Sequence, residues 1–196
     1  MTKSNFYHLT EEKQQRIEEA VYHEFSEYGY EQASINRMIK EAKISRGAFY
    51  LYFEDKKDAF HHILTVTFIN PLKEEMEKVV PQRYNVLDYT ALCFQALYPL
   101  LLQHQTFSMA WLNEVSFLEW DWFIQKLQEE KIYQWERTKL DTLRFRSKYE
   151  QQEIFFLLSS VLFHQLQRNL MEKRTPELAK TDLLKSLLIL KVGFQR

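Results

Sequence analysis

Residues 34–56, SINRMIKEAKISRGAFYLYFEDK, decide the fold of the N-terminal part of the chain. The first half carries apolar residues at positions i, i+3, i+4 and i+7, namely Ile35, Met38, Ile39 and Ala42. This spacing predicts one buried stripe on a short helix. Ser34 precedes that helix as an N-cap, and Ser45 precedes a second short helix in the same way. Two short helices joined by a three-residue turn predict a helix-turn-helix.

The second helix has a packed side and an outward side. Its packed side consists of Ala48, Phe49, Tyr52 and Phe53. Arg46, Gly47 and Tyr50 are left facing outward near its N-terminus. In a helix-turn-helix these N-terminal positions reach base edges in the major groove, where arginine can make two hydrogen bonds to guanine. A surface helix with an ordinary arginine is the alternative interpretation of this fragment.

A third helix is predicted to begin next. Asp55 can cap it, which places Lys56 in its first turn, and a helix N-terminus that carries a lysine suits a phosphate. With these residues in view, the chain from about Glu11 to Phe60 resembles the tetracycline-repressor (TetR) family of bacterial transcription regulators. The positions that follow the family pattern are Gly29, Ser34, Ile39, Ala42, Ile44, Ser45, Gly47, Tyr50, Tyr52, Phe53 and Lys56.

Two positions, Lys43 and Leu51, depart from the family pattern, and Tyr52 differs from the residue that is frequent at its place. Lys43 stands where the turn usually has glycine, and a left-handed backbone there costs lysine roughly 1 kcal/mol. Leu51 occupies a place that is often aromatic, so one contact to the DNA backbone is in doubt. Tyr52 stands where histidine is frequent, although its hydroxyl can still donate to a phosphate.

The resemblance implies an all-α protein with an N-terminal helix-turn-helix DNA-binding domain over residues 1–54 and a helical ligand-binding and dimerisation domain over residues 55–196. It implies a homodimer that binds a double-stranded, palindromic DNA operator and whose DNA binding is regulated by a small-molecule effector. The residues expected to contact DNA are Ser34, Arg37, Ser45, Arg46, Gly47, Ala48, Tyr50, Tyr52 and Lys56. Arg46 is the expected base reader, while Ser34, Tyr50, Tyr52 and Lys56 should mainly hold phosphates.

Composition agrees with a helical protein and excludes several classes. Only three glycines and four prolines occur among 196 residues, which disfavours a turn-rich β protein. The single Cys93 excludes an intramolecular disulfide framework and a cysteine-based zinc site. No apolar signal segment or membrane-length apolar run is visible, so we expect a cytoplasmic protein without a membrane partner.

Charge is unevenly distributed, although the net charge of the whole chain is only −1. Residues 1–33 carry three basic and seven acidic side chains, a net charge of −4, and residues 34–57 carry six basic and three acidic ones, a net charge of +3. The positive charge is therefore concentrated on the proposed DNA-reading part. Such a footprint predicts modest, salt-sensitive affinity for each subunit, to which dimerisation adds.

The remaining N-terminal segments frame this unit. Residues 1–9 read as a short arm, and Thr10 can cap a first helix that Gly29 ends. The buried stripe of this first helix is predicted to comprise Ile17, Ala20, Val21, Phe25 and Tyr28. The helix after Asp55 should break near Asn70, because Pro71 removes an i→i−4 hydrogen bond.

The middle of the chain is unusually aromatic. Helices are predicted over residues 86–104 and 107–117, with Pro81 to Asn85 as a loop, and residues 111–135 carry seven aromatic side chains. These rings either pack a core or line an apolar ligand cavity, as the family resemblance implies. The candidate ligand-binding residues are Tyr98, His104, Phe107, Trp111, Glu114 and Phe123.

Two helices are predicted near the C-terminus. One covers residues 150–173 and is apolar nearly all round, and the other starts at Thr175 and Pro176, a cap followed by an N1 proline. Residues 150–173 and 176–194 are expected to form a four-helix bundle with the same helices of a second copy, which is also the family arrangement. An unusually thick monomer core is the alternative.

Catalytic and metal-binding patterns are missing from the sequence. It contains no glycine-rich phosphate loop, G-x-S-x-G elbow or H-E-x-x-H pair, so no catalytic residue, metal ligand or cofactor is predicted. We expect a DNA-binding regulator, most simply a ligand-responsive repressor, and not an enzyme. The alternative is a helical dimer that binds a protein or a small ligand without recognising specific DNA.

Overall fold

The computed structural model describes residues 2–79, 86–114, 117–132 and 148–194, and all regular structure in these ranges is helical. The all-α fold class predicted from the sequence is confirmed. In chain order the helices are α1 (Ser4–Tyr7), α2 (Glu11–Gln32), α3 (Ile35–Glu41), α4 (Arg46–Tyr52), α5 (Lys56–Leu64), α6 (Asn70–Val79), α7 (Val86–Gln103), α8 (Gln105–Glu114), α9 (Phe117–Glu129), α10 (Lys148–Met171) and α11 (Pro176–Phe194). None of these described helices combines the length and apolarity that a membrane crossing requires.

The chain forms two compact units. The first contains residues 1–70 and 104–115, so α8 packs with the N-terminal helices although it comes much later in the sequence. The second contains residues 71–103 and 116–196. Because α5 and α8 share a unit with the helix-turn-helix, a domain boundary after residue 54 stays a prediction.

Helix α2 lies at the centre of the first unit. Four of its five predicted core residues are buried, namely Ile17, Ala20, Val21 and Phe25. The prediction was wrong for Tyr28, which is 36% exposed and whose ring faces the guanidinium of Arg37 at 3.9 Å. Gly29 interrupts α2 with φ +69°, a left-handed backbone that glycine adopts without strain.

The helix-turn-helix forms as the sequence predicts. Ser45 caps α4, since its Oγ accepts a hydrogen bond from the Ala48 N–H at 3.1 Å. Lys43, in the turn, has φ +52°, the left-handed conformation expected at a position where the family usually has glycine. Ser34 is at the N-cap position of α3, but its hydroxyl makes no capping bond, so that detail of the prediction was wrong. Its own N–H donates instead to the buried carboxylate of Glu24.

The helix after Asp55 begins as predicted but continues differently. The Asp55 carboxylate accepts the Asp58 N–H at 2.7 Å, which confirms the cap of α5. The predicted break near Asn70 is instead a change of helix type, because a π-helical segment, Thr65–Ile69, precedes α6 and Asn70 keeps helical angles. The wider π turn just before Pro71 accommodates the proline ring without ending the helix.

The N-terminal residues are ordered against α4 and α5 and do not form a free arm. Residues Ser4–Tyr7 form α1, and the Phe6 side chain is fully buried. Its ring lies 6.0 Å from the Tyr52 ring and 4.8 Å from the His62 ring. Two backbone contacts complete the docking, since Lys3 donates its N–H to the Tyr52 carbonyl at 2.8 Å and its Nζ to the Tyr50 carbonyl at 2.9 Å.

In the second unit, α7, α10 and α11 pack together. Leu87, Ala91, Phe94, Leu97 and Leu101 of α7 are buried. Leu183 and Leu187 of α11 are buried as well, and Leu184, Leu188 and Ile189 on its other side are exposed. The described part of the helix predicted over residues 107–117 begins earlier, at Gln105, and ends at Glu114. The expected loop at Pro81 to Asn85, and Tyr133 and Trp135 of the aromatic segment, lie outside the described residues.

Candidate nucleic-acid interface

Arg46 is the most prominent cation on the outward face of α4. It is exposed, and its guanidinium donates to Asn36 Oδ1 at 2.7 Å and to the Tyr50 hydroxyl at 3.2 Å. The Tyr50 ring centroid lies 5.6 Å from the same guanidinium. An arginine has five N–H donors, of which these two bonds use two. Asn36 and Tyr50 therefore orient Arg46 at the start of α4 while donors remain for a further acceptor.

The residues next to Arg46 have small side chains that project little from α4. Gly47 is exposed, and a Cβ built on it would meet nothing nearer than Ser45 Oγ at 3.9 Å. A glycine in that open position leaves the backbone accessible to a close partner. The Ser45 hydroxyl caps α4, and Ala48 is half-buried. Both residues therefore support α4 rather than project from it.

Arg37 and Ser34 are tied to α2 through one buried carboxylate. Glu24 is 3% exposed and accepts the Ser34 N–H at 2.7 Å, Arg37 Nε at 2.8 Å and Arg37 Nη2 at 2.5 Å. Hydrogen bonding to Glu24 raises the pKa of Arg37 above its ordinary value. Because a buried charge needs a partner, this pair fixes the start of α3 on α2. A DNA contact by either residue stays a prediction.

Tyr52 and Lys56, both predicted to hold phosphates, make internal contacts. Tyr52 is only 6% exposed, and its ring packs against Phe6. The Lys56 Nζ donates to the carbonyls of Tyr30 at 2.7 Å, Glu31 at 3.1 Å and Ala33 at 3.3 Å. Three carbonyl acceptors match the three donors of an ammonium group. Their contacts with DNA stay predictions, and both side chains hold parts of this unit together.

Three of the six candidate ligand-binding residues, Phe107, Trp111 and Glu114, lie on α8, and His104 directly precedes it. His104 Nδ1 lies 3.0 Å from the Tyr22 hydroxyl, and burial lowers the pKa of His104. Phe107 and Trp111 are buried, and both rings stack on Phe68, at 5.8 and 5.5 Å between centroids. Glu114 accepts hydrogen bonds from the backbone N–H groups of Tyr30 and Glu31 in α2, and its contact with a ligand stays a prediction.

The other two candidates belong to the second unit. Tyr98 is 1% exposed and stacks on Phe94 with 5.4 Å between ring centroids. Its hydroxyl donates to the Arg174 carbonyl at 2.9 Å, and burial raises the pKa of Tyr98 to about 12. Phe123 is fully buried and stacks on Trp120 at 5.6 Å. Both residues thus make core contacts, and a ligand cavity beside them stays a prediction.

Residues 17–63 match the family model described as bacterial regulatory proteins, tetR family. The N-terminal region is therefore similar to the tetR family. The matched range contains most of α2, all of α3 and α4, and nearly all of α5, which together hold the helix-turn-helix and the Gly29 turn.

Curated relatives resemble this TetR region. An HTH-type transcriptional regulator of Staphylococcus aureus strain MRSA252 is 33% identical over 98 residues, which is 47% of this chain and 52% of that protein. A regulator described in the same words in strain USA300 is 32% identical over 84 residues, which is 40% of this chain and 45% of that protein. The chain thus spans about half the length of the curated relatives it matches.

Solved structures extend the TetR likeness to the fold of the whole chain. A TetR family transcriptional regulator from Chloroflexus aurantiacus has a TM-score of 0.53 and 18% identity, covering 100% of this chain and 99% of its own. The transcriptional regulator FadR from Bacillus subtilis, solved in complex with stearoyl-CoA, has a TM-score of 0.64 and 16% identity, covering 88% and 96%. At such identities the likeness shows the fold alone.

Sequence reasoning missed several residues that shape this helix-turn-helix. Asn36 orients Arg46. Glu24 holds the start of α3, and Lys3 holds the end of α4. Their partners are 10 or more residues away in the chain, so helical periodicity carries no signal for them. Within the described residues, no group of three or more His, Cys, Asp or Glu side chains could hold a metal ion.

Proposed function

We propose that this chain is a homodimeric, ligand-responsive transcriptional regulator, most simply a repressor, that binds an approximately palindromic operator. The observation that carries the proposal is the outward face of α4. There Arg46 is exposed at the helix N-terminus, is oriented by Asn36 and Tyr50, and is flanked by the open backbone at Gly47. This is where a recognition helix touches base edges in the major groove.

Arg46 is the proposed base reader, with guanine as its partner. Tyr50, whose side chain is 37% exposed, is the proposed neighbour that contacts a phosphate or keeps the guanidinium aimed at the groove. Ser34, Arg37, Ser45, Ala48, Tyr52 and Lys56 complete the proposed interface, chiefly by holding α3, α4 and α5 in register. The proposed DNA-binding domain is residues 1–54, with residues 55–196 for ligand binding and dimerisation.

The proposed dimer interface uses the exposed sides of α10 and α11. Large apolar side chains that face outward there are Phe156, Leu157, Met171, Leu178, Leu184, Leu188, Ile189 and Val192. A contiguous exposed apolar surface on a helix pair marks an association site, and a two-fold axis lets the same pair cover itself in a second copy. A two-fold dimer would in turn demand an operator with two related half-sites.

The proposed effector is a small molecule with an apolar part, and the first one to test is a long-chain acyl-CoA. Support comes from the apolar side chains around Tyr98 and Phe123, and from FadR of Bacillus subtilis, which was solved with stearoyl-CoA. Effector binding would favour a spacing of the two DNA-binding domains that no longer fits two grooves. That shift requires the effector to bind one state more tightly than the other. A regulator of this kind works where the DNA is, in the bacterial cytoplasm.

The experiment that tests the proposal is in vitro selection of bound DNA from a random pool at moderate salt. An enriched inverted repeat supports the dimeric reader, and its release by stearoyl-CoA but not by free CoA supports an acyl effector. No enrichment from folded, dimeric protein, with or without added cell extract, would refute specific DNA recognition. The alternative, a helical dimer that binds only a protein or a small ligand, would then be the better interpretation.

A further inference from the structure

A carboxylate at the end of α8 binds backbone N–H groups in the last turn of α2. The connecting turn, residues 30–33, consists of the part of α2 beyond the left-handed Gly29 and its C-cap, Ala33. Glu114, the last residue of α8, accepts the Tyr30 N–H at 2.6 Å and the Glu31 N–H at 3.3 Å through Oε2. A carboxylate that accepts from N–H groups at the start of a helical turn is favourably placed with respect to the helix dipole.

Two cationic side chains bind the carbonyl groups of the same turn. Lys56 Nζ donates to the carbonyls of Tyr30, Glu31 and Ala33, and Arg37 Nη2 donates to the Gln32 carbonyl at 2.8 Å. An anion at the N–H end and cations at the carbonyl end are the favourable arrangement for a turn of helix. The connecting turn is thus held by charge from both sides, and its far end leads directly into α3.

Helix α8 is attached along the chain to helices of the other unit. Its neighbours in sequence are α7, which ends at Gln103, and α9, which begins at Phe117, and both belong to the second unit. Within the first unit, α8 is held to α2 on both sides, since His104, which directly precedes α8, contacts Tyr22, and Glu114, its last residue, binds the connecting turn. A displacement of α8 along its axis would therefore act on the backbone that enters α3.

We infer that Glu114 is a positioning residue for DNA recognition, through which the placement of α8 sets the alignment of α3 and α4. This inference rests on the proposed function. The carboxylate does not touch DNA in this mechanism, because it lies on the backbone of residues 30 and 31. It raises the fraction of molecules whose connecting turn is ordered for binding, and apparent DNA affinity scales with that fraction.

The test compares E114A and E114Q with Asn113→Ala, a change at the preceding, exposed residue of the same helix. We expect E114A to weaken binding to the selected DNA by about tenfold, the ratio that corresponds to one charge-assisted hydrogen bond of about 1.4 kcal/mol. E114Q keeps an oxygen acceptor, so we expect it to recover part of the loss. Asn113→Ala should bind as the unmodified protein does.

Two further readouts separate positioning from the other roles that Glu114 could have. The slope of log affinity against log salt should be the same for E114A and the unmodified protein, since no phosphate contact is lost. Amide hydrogen exchange at residues 30 and 31 should speed up in E114A without DNA present. All binding is measured at 20 °C on protein shown by circular dichroism to be folded, so that global stability does not set the affinity.

Unchanged affinity in E114A, or a tenfold loss accompanied by a changed salt slope, would overturn the inference. Failure of the inference is distinguishable from failure of the proposed function. In the first case the unmodified protein enriches an inverted repeat and E114A binds it equally well. In the second case the unmodified protein enriches nothing, and the positioning role for DNA falls with it.

Discussion

Gly29→Ala tests two reasons why residue 29 must be glycine. The first is the backbone, because φ +69° and ψ 178° fall in a region that only glycine occupies readily. The second is space, because a Cβ at residue 29 would lie 2.6 Å from the Cδ of Glu114. The Glu114 side chain is flexible and can move away, but it then gives up its bonds to the Tyr30 and Glu31 N–H groups.

The magnitude follows from these two parts. An alanine held in this backbone region costs about 1–3 kcal/mol. Losing one short and one long hydrogen bond to an exposed carboxylate adds about 1–2 kcal/mol after allowance for solvent screening. Gly29→Ala should therefore lower the free energy of unfolding by about 2–5 kcal/mol, a large part of the 5–15 kcal/mol that is usual for a domain.

The assay is urea unfolding of four proteins at one protein concentration: unmodified, Gly29→Ala, Glu114→Ala, and the double variant. In the Glu114→Ala background only the backbone part remains, so Gly29→Ala should cost about 1–3 kcal/mol there. The cycle thus predicts a coupling of about 1–2 kcal/mol between the two sites. Gly47→Ala is the matched control, since its Cβ enters open space in α4 and should stabilise by about 0.5–1 kcal/mol.

The reasoning fails if Gly29→Ala costs the same in both backgrounds. The carboxylate would then play no part in the requirement for glycine. It also fails if Gly29→Ala stabilises as Gly47→Ala should, because the left-handed backbone at residue 29 would then carry no cost.

Three further predictions concern the interface, the dimer and pH. Arg46→Ala should relax base preference at one position of the selected DNA by about 1–3 kcal/mol of discrimination, and equal weakening on all sequences in the selection would contradict base reading. Ile189→Glu places a charge on a side chain that is 73% exposed and should shift the protein toward monomer in sedimentation velocity. Lys180→Glu, on an exposed position of the same helix, should leave the dimer intact. Burial lowers the pKa of His104 below the value of 6.5 in an unfolded chain, so its neutral form contributes stability that is present above pH 6.5 and is lost as pH falls from there through the lower pKa of the folded state. His104→Gln should therefore flatten the decline in unfolding free energy between about pH 7.5 and 5.5, and an unchanged decline would rule out this histidine as a source.

Local pattern was enough to predict most of the helices. The stripe of α2, the Ser45 and Asp55 caps, the left-handed Lys43 and the start of α11 at Pro176 all depend on residues within a few positions of one another. Periodicity, caps and turn residues report such features directly. The π-helical segment before Pro71 was not predicted, because a proline in the sequence does not distinguish a helix that ends from one that widens into a π turn.

The partners of the charged side chains could not be predicted. Arg37 and Lys56 were both interpreted as cations that face DNA, but one binds Glu24, 13 residues away, and the other binds carbonyls 23 to 26 residues away. Glu114 was interpreted as a ligand contact and holds a turn 84 residues away. An exposed lysine and one that caps a distant turn have the same local sequence, so only the tertiary structure separates them.

The membership of α8 in the first unit has a consequence for how the chain folds during synthesis. Residues 2–79 contain every part of the helix-turn-helix, but the aromatic and carboxylate groups that cover and hold α2 arrive only with residues 104–114. At about 5–20 residues per second, the 84 residues that separate Tyr30 from Glu114 take roughly 4–17 s to emerge. The last piece of the N-terminal unit is thus made well after its first, and a chain cut at residue 70 would lack it.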